Sequence, residues 1–331
     1  MARLRVVHLV DDTTAGGVMR VLDHLMTAPK LSRSAIHSLE VIDRSAVLSK
    51  RIPADLIVSH LAVSWRALPL LLSLRTRNPR AKLVHVEHSY TEGFVAANVT
   101  HRRRFALLLR IAYLVFDRVV AVSHAQGVWL QRSGAVRKSA LTVIQSCVDL
   151  SAFRAIAPPA TPVRVFGAIG RLDKQKGFDT LLRAFRMTDR PDISLYIYGE
   201  GAEEESLRAL AGDDPRIHFK GFTNDPVLAM AKVEAVAMPS VWEAYGLVAI
   251  EALAAGRRLL VNPVDGLMDH IPNGALAVRN GSVSAWKHAI LELTEARSET
   301  DACSICPSVR LEDNFAAQWY EMMQKSALGP E

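Results

Sequence analysis

The chain has 331 residues, of which 50% are hydrophobic and 22% charged, with 18 Gly and 15 Pro, a profile that excludes a disordered tail, a collagen-like fibre and a small disulfide-stapled scaffold. At roughly 150 residues per domain, the length points to two domains, each able to bury its own core. A net charge of +6 favours anionic partners without choosing among phosphate, nucleic acid and lipid headgroups.

Three cysteines, Cys147, Cys303 and Cys306, cannot form a paired framework, and a reducing compartment is the simpler reading. Cys303 and Cys306 are spaced C-x-x-C, but no second pair or His pair accompanies them as a zinc site needs, so two ordinary thiols are the simpler account. The N-terminal apolar run 6–10 is short and ends in Asp11 and Asp12. It reads as a buried first strand rather than a signal-peptide core. The longest apolar stretch, 105–116, is interrupted by Arg110 and falls short of the roughly 20 residues that span a bilayer. The expectation is a soluble protein, attached at most to a membrane surface.

Taken in chain order, short β-rich runs alternate with helical patterns. Strands are expected at 5–10, 39–42, 56–59, 83–87, 119–122 and 141–144, with amphipathic helices at 18–26, 65–74 and 124–132. Residues 155–162 hold three prolines, which deny both helix and central strand and read as a linker. Beyond it, strands are expected at 163–168, 195–198, 217–219, 235–238 and 259–262. A helix at 178–187 aligns Phe178, Leu181, Leu182 and Phe185 on one face. A last helix, 311–325, carries an apolar stripe of Phe315, Trp319, Met322 and Met323 that must pack on something. The alternation predicts an α/β chain of two Rossmann-like doubly wound domains. The boundaries are 1–154 for the first domain, 155–162 for the linker, 163–310 for the second domain and 311–331 for a C-terminal helix crossing back to the first domain. In such sheets, ligands bind beyond the carboxyl ends of the strands, so the chemistry belongs in strand-to-helix loops.

Three loops of the second half carry it. The first, 167–177, combines Gly167, Gly170 and Gly177 with Arg171 and Lys176 before a helix opens. Glycine lets backbone approach a ligand, the helix start offers N–H donors, and the two cations suit a diphosphate. An ordinary turn with solvated charges is the competing account. The second, Gly199-Glu200-Gly201, suits backbone contact with a flat ring or ribose, against a simple turn. The third runs from Pro239 to Gly256. Glu243 follows a buried strand, and Glu251 sits eight positions on, about two turns into an apolar helix opened by Gly246. A carboxylate there needs a partner, and a ribose diol could supply it, while Tyr245, Gly246 and Leu247 offer backbone N–H groups.

In order, the chain reads Gly-Arg-Leu-x-x-x-Lys-Gly-x-Asp-x-Leu-Leu-x-Ala-Phe (170–185), Tyr-Gly-Glu-Gly (198–201), Ile-x-Phe-x-Gly (217–221) and Pro-Ser-x-x-Glu-x-Tyr-Gly-x-x-x-x-Glu-Ala (239–252). With these four motifs the sequence resembles the retaining glycosyltransferases of the GT-B fold, family GT4 (glycosyltransferase group 1), of the cell-surface and exopolysaccharide type. In the first half the likeness includes Ala15-Gly16-Gly17, Val84-His-Val-Glu-His88 and Val119-Val-Ala-Val-Ser123.

The resemblance implies two domains facing across a cleft and a hexosyltransferase-type enzyme (EC 2.4). It would transfer a sugar from a nucleoside-diphosphate donor to a saccharide or lipid-linked acceptor in polysaccharide biosynthesis. It implies that Arg171 and Lys176 hold the donor diphosphate, Glu251 the ribose, and Glu243 the transferred sugar. Gly199, Glu200 and Gly201 would lie near the base, Gly16 and Gly17 near the phosphates, and His88 at the reacting sugar face. No Asp-x-Asp occurs, so no metal and no cofactor is expected beyond the donor itself. The implied setting is cytoplasmic, with peripheral contact at the inner membrane face, where the basic run His101-Arg102-Arg103-Arg104 could meet anionic lipid. A core helix with a solvated basic end is the other account of that run. Nucleic acid is disfavoured for want of an aromatic–basic platform. Departures at Ser146-Cys147, Arg257-Arg258 and Asp265 to Asp269 leave the donor sugar open. The same fold also serves a sugar-nucleotide epimerase or a phosphorylase, and the departures after Gly256 keep a further reading in play, a pseudoenzyme that binds donor without turnover.

Overall fold

The computed structural model describes residues 3–14, 16–159, 162–295 and 311–327; Ala15 and the Cys303/Cys306 pair lie outside them. The chain forms two compact units, one running to Val148 and the other starting at Asp149.

In the first unit, strands β1 (Leu4–Val10), β2 (Ala35–Val41), β3 (Leu56–Ser59), β4 (Lys82–Glu87), β5 (Arg118–Ala121) and β6 (Leu141–Val143) form one sheet in the order β2-β1-β3-β4-β5-β6. All its pairings are parallel. Helices α1 (Gly17–Thr27), α2 (Pro29–Ser34), α3 (Leu68–Arg77), α4 (Glu92–Asn98), α5 (Arg102–Tyr113) and α6 (His124–Arg132) connect the strands. Burial on both faces explains why β1, β3 and β5 are continuous apolar runs rather than alternating ones. Leu9, Ile57, Leu74, Leu83, Leu109 and Val119 share one core. Helix starts follow side-chain chemistry: Ser123 caps α6 by accepting the Gln126 N–H at 3.1 Å, and Thr91 caps α4 through the Phe94 N–H at 3.0 Å. The helix expected from 65 begins at Leu68 instead. Pro69 lacks an N–H and is tolerated only in the first turn, so it fixes the start.

The second unit opens with α7 (Ser151–Arg154) and continues through β7 (Val165–Ile169), α8 (Phe178–Arg186), β8 (Ser194–Tyr198), α9 (Glu204–Ala211), β9 (Ile217–Gly221), α10 (Pro226–Ala231), β10 (Ala235–Met238), α11 (Leu247–Ala254), β11 (Arg258–Val261), β12 (Leu276–Ala277) and α12 (Val283–Glu295). Its strands order as β12-β11-β10-β7-β8-β9, which in units of this half alone is the 6-5-4-1-2-3 arrangement of a dinucleotide-binding sheet. The chain divides after Val148, so the proline-rich stretch expected as linker belongs to this unit. Buried Arg257 ties it down, donating to the Ala157 carbonyl at 3.0 Å and the Met230 carbonyl at 3.2 Å. The final helix, α13 (Leu311–Ala327), returns to the first unit and packs on α2. Its stripe of Phe315, Trp319, Met322 and Met323 is buried. No helix of the described residues is long and apolar enough to cross a membrane.

Trp286 on α12 is fully buried, and its indole N–H donates to Asn262 Oδ1 at 2.9 Å. Replacing Trp286 with Ala removes a filled volume and orphans that acceptor, so urea unfolding should show a loss of about 3–5 kcal/mol. A loss below about 1 kcal/mol would show the site collapsing around the void.

Candidate active site

The second sheet changes direction between β7 and β10, the adjacent central strands. Connections leaving their carboxyl ends turn to opposite faces and open a crevice there. The loop after β7 is held by backbone bonds from Gly170 N to the Tyr198 carbonyl (3.0 Å) and from Leu172 N to the Glu200 carbonyl (2.9 Å). It enters a 3-10 turn in which Asp173 accepts the Lys176 N–H at 3.3 Å. Gly177 then adopts φ +62°, and a Cβ there would lie 2.4 Å from the Pro239 carbonyl oxygen of the loop after β10. Only glycine lets the two loops touch.

That contact brings Lys176 Nζ to 2.5 Å from Glu243 Oε2, with side-chain exposures of 15% and 12%. Ser240 Oγ donates to the same oxygen at 3.4 Å. Two residues absent from the expected site hold this geometry. The Gln175 backbone carbonyl accepts the Val241 N–H at 2.8 Å, and its side-chain amide donates to the Trp242 carbonyl at 3.2 Å. Asn262 donates to the carbonyls of Pro239 (2.8 Å) and Ser240 (3.2 Å) while accepting from Trp286. The Glu243 backbone is clamped from the far side: its N–H meets Asp265 Oδ2 at 3.4 Å and its carbonyl accepts from Gly266 N at 2.9 Å. A side-chain amide next to a cluster of cations was the one sequence signal for Gln175; nothing marked Asn262.

The other expected residues sort differently. Arg171 is 74% exposed, meeting Asp173 at 3.2 Å and Gln175 at 3.4 Å, so the two cations are unequal: one enclosed in a pair, one at the rim. Glu251 is 1% exposed. It lies four positions past the start of α11 at Leu247, one turn into the helix that Gly246 was expected to open; the expected two turns counted its eight positions from Glu243. The Tyr245 ring is committed to the core, 4.6 Å from buried His270, whose Nε2 meets the Tyr245 carbonyl at 2.8 Å. Burial lowers the His270 pKa. Gly246, at φ +90°, turns the chain into α11, and the Leu247 end of that helix presents first-turn N–H groups. Gly199 and Gly201 answer to an internal demand: a Cβ on Gly199 would lie 1.9 Å from the Gly170 carbonyl oxygen, and one on Gly201 2.4 Å from that of Leu172. Glu200, between them, is exposed and accepts the Phe222 N–H at 3.4 Å.

In the first unit, Gly16 precedes α1 and Gly17 starts it. A Cβ on Gly16 would meet nothing nearer than the Thr14 carbonyl oxygen at 3.6 Å, so among the described residues no packing reason requires glycine there. His88 follows β4 and is half-buried. The turn that aims it is built on buried Glu87, which accepts the N–H groups of Ser89 (2.8 Å) and Tyr90 (2.9 Å) and the Tyr113 hydroxyl (2.6 Å). Burial pushes the Glu87 carboxyl up, but hydrogen bonds from His85, Tyr113 and the Tyr90 backbone outweigh it and leave the pKa lowered. His88 Nε2 meets His60 Nδ1 at 2.9 Å, a contact that strand-by-strand reading does not reveal.

A model of "Glycosyl transferases group 1" matches residues 163–296, and one of "Glycosyltransferase Family 4" matches residues 7–152. An uncharacterized glycosyltransferase of Methanocaldococcus jannaschii is 36% identical over 128 residues, 36% of this chain and 33% of that protein. The N-acetylgalactosamine-N,N'-diacetylbacillosaminyl-diphospho-undecaprenol 4-alpha-N-acetylgalactosaminyltransferase of Campylobacter jejuni is 29% identical over 152 residues, 44% of this chain and 41% of that one. The matched stretch thus spans well under half the length of either relative. Among solved structures, Anabaena HepE in complex with UDP and glucose superposes with a TM-score of 0.73 at 17% identity, covering 98% of this chain and 100% of that one. Sucrose-phosphate synthase from Thermosynechococcus elongatus gives 0.71 at 17%, covering 98% and 97%.

The enclosed ion pair makes a stability prediction. Lys176→Ala leaves the Glu243 carboxylate desolvated without its partner, which should lower unfolding free energy by about 1–3 kcal/mol. Adding Glu243→Ala should return part of that loss. A double-mutant cycle by urea unfolding should give a coupling above about 0.5 kcal/mol; additive losses would mean that the two side chains do not sense each other.

Proposed function

Given that the chain belongs to the group 1, family 4 glycosyltransferases of the GT-B fold, we propose that it transfers a hexose-type sugar from a nucleoside-diphosphate donor to a saccharide or lipid-linked acceptor, with retention, in polysaccharide assembly. The observation that carries this reading is the Lys176–Glu243 pair at the switch point of the second sheet.

Each charge of that pair has a task in such a reaction. As the bond from sugar C1 to the diphosphate oxygen breaks, positive charge grows on the sugar and negative charge on the leaving diphosphate. Lys176 exchanges its carboxylate for the diphosphate, Arg171 closes on it from the rim, and first-turn N–H groups of α11 add partial positive charge. Glu243, released from the ammonium, faces the sugar. Glu251 accepts the ribose hydroxyls, with Gly199, Glu200 and Gly201 beside the base. Gly16, where glycine has no internal purpose, and Gly17 give the phosphates room on the first unit, and His88 serves the sugar face. The acceptor oxygen bonds to C1 on the face the diphosphate leaves, and its proton passes to a departing phosphate oxygen. Cationic side chains thus take the role a metal would have, and the reaction should proceed in a chelator. The UDP bound to HepE and the lipid-linked substrate in the name of the Campylobacter relative favour UDP-sugars and an undecaprenyl-type acceptor as first candidates.

The test is a panel of UDP-, GDP- and ADP-sugars scored by thermal shift and by nucleotide release with and without acceptor. Binding without release under every condition would refute transfer. With the donor that responds, Glu243→Ala and Lys176→Ala should each lower kcat by about 10²–10³-fold in protein that remains folded by circular dichroism; near-normal rates would refute their assigned roles.

For the acceptor side we propose peripheral binding at the cytoplasmic face of an anionic membrane. Arg102, Arg103 and Arg104 are exposed at the start of α5, and Leu107 and Leu114 are exposed beyond them. Each basic residue near such a surface is worth about 1 kcal/mol. Co-sedimentation with anionic vesicles should be strong at low salt and fade as salt rises; no binding at low salt would refute it.

A further inference from the structure

Gln175 hooks the rim cation of the second unit to the loop that carries Glu243. Its backbone carbonyl accepts the Val241 N–H at 2.8 Å. Its side-chain Nε2 donates to the Trp242 carbonyl at 3.2 Å, and its Oε1 accepts from Arg171 Nη2 at 3.4 Å.

The two neighbours of the amide fix its orientation. A backbone carbonyl only accepts and a guanidinium only donates, so the amide turns its nitrogen to Trp242 and its oxygen to Arg171. Few side chains meet that demand. Glutamate would set an oxygen against the Trp242 carbonyl, a lysine would face Arg171 with a like charge, and an apolar chain would serve neither neighbour. Asparagine has the amide but is one methylene shorter.

Arg171 benefits from such a hold. Its side chain is 74% exposed, and an untethered arginine has rotamer freedom that an anion must remove on binding. Asp173 Oδ2 also meets Arg171 Nη2, at 3.2 Å, but that carboxylate is an anion with which an incoming phosphate competes. The amide is neutral and can keep its bond while a ligand binds. Both contacts fall on Nη2. Among the described residues Nη1 and Nε make no hydrogen bond or ion pair, which leaves their N–H groups for an anion. The far end of the amide is anchored at Trp242, one residue before Glu243, whose carboxylate holds Lys176. One uncharged side chain thus joins the exposed cation to the backbone of the enclosed pair.

We propose that Gln175 is a positioning residue that tethers Arg171 to the Trp242 carbonyl, so that the guanidinium stands ready for the donor diphosphate at the crevice where Lys176 already lies. The tether stands on the contacts themselves, and the diphosphate rests on the transfer reading above.

The test titrates inorganic pyrophosphate into the full chain by calorimetry, since pyrophosphate presents the diphosphate chemistry without sugar, base or turnover. Gln175→Met keeps the length of the side chain and the backbone bond to Val241 while removing both amide contacts. It should weaken pyrophosphate binding by about 3–10-fold, the cost of ordering one more free side chain. Arg171→Ala should weaken binding too, and the double variant should bind no more weakly than Arg171→Ala alone, because the amide acts through the guanidinium. A purely structural role would lower the urea midpoint of Gln175→Met and leave the affinity of the folded protein within about twofold of wild type. That outcome, or losses that add in the double variant, overturns the proposal. If Gln175→Met does not fold, Gln175→Asn, which has the amide without the reach, takes its place in the same cycle with the same expected pattern. Pyrophosphate that binds the wild type but ignores Gln175 defeats this inference alone; pyrophosphate that does not bind the wild type defeats the diphosphate site of the transfer reading and this inference with it.

Discussion

The contact between Lys176 and Glu243 sets the terms for the second unit. Neither charge is stable in its place without the other, because both are largely withdrawn from water and an unpaired buried charge is strongly destabilising. The pairing requires the loops after β7 and β10 to lie against each other, and that approach leaves no space for a side chain at Gly177. It also fixes the surrounding polar groups: Gln175 spans the two loops, and Asn262 holds the Pro239–Ser240 backbone from β11 and α12. The pair therefore organises backbone well beyond its two side chains. It has a chemical consequence too. An ammonium already desolvated and neutralised can change partner to an anionic ligand at less cost than one drawn fresh from water, since part of its dehydration has occurred on folding.

The sheets were legible because their physics is periodic. Apolar runs bounded by turns gave eleven of the twelve strands found among the described residues near their observed places, and the alternation with helices gave the doubly wound topology. What was missed has specific causes. Strand β12 has two residues, both exposed, too few to carry any period. Strand β2 starts at Ala35, before its most apolar part, because Ile36, Ser38 and Glu40 are on the exposed side of an edge strand. The proline run looked like a domain boundary, yet a buried guanidinium from 100 residues away holds it in the second unit. The Arg257-Arg258 departure from the family pattern thus has an internal explanation in Arg257 that no local rule could supply.

The glycine-rich motifs teach a related point. From sequence, Gly199 and Gly201 suggest room for a ligand. In the structure, the loop after β7 already occupies that room, with carbonyl oxygens where side chains would be. The same spacing that reads as a ligand cradle serves here to stack one loop on another. Gly16 is the opposite case, with no neighbour that forbids a side chain. Motif matching treats these glycines alike, whereas measuring what a Cβ would meet separates those that packing requires from one that it does not.

The two units also illustrate different ways of keeping polar groups inside a protein. An ion pair gains Coulomb energy but must offset the dehydration of two charges, and the Lys176–Glu243 pair keeps a small share of each side chain in water. Neutral imidazoles cost far less to bury, provided each nitrogen finds a partner. A string of them, His37, His8, His60 and His88, can therefore cross the first sheet from β2 through β1 and β3 to the end of β4. The price of neutrality is correlation, because each ring's proton position is dictated by the next. An enclosed ion pair responds to a ligand by trading partners. A neutral string can respond only as a whole, by moving every proton one step.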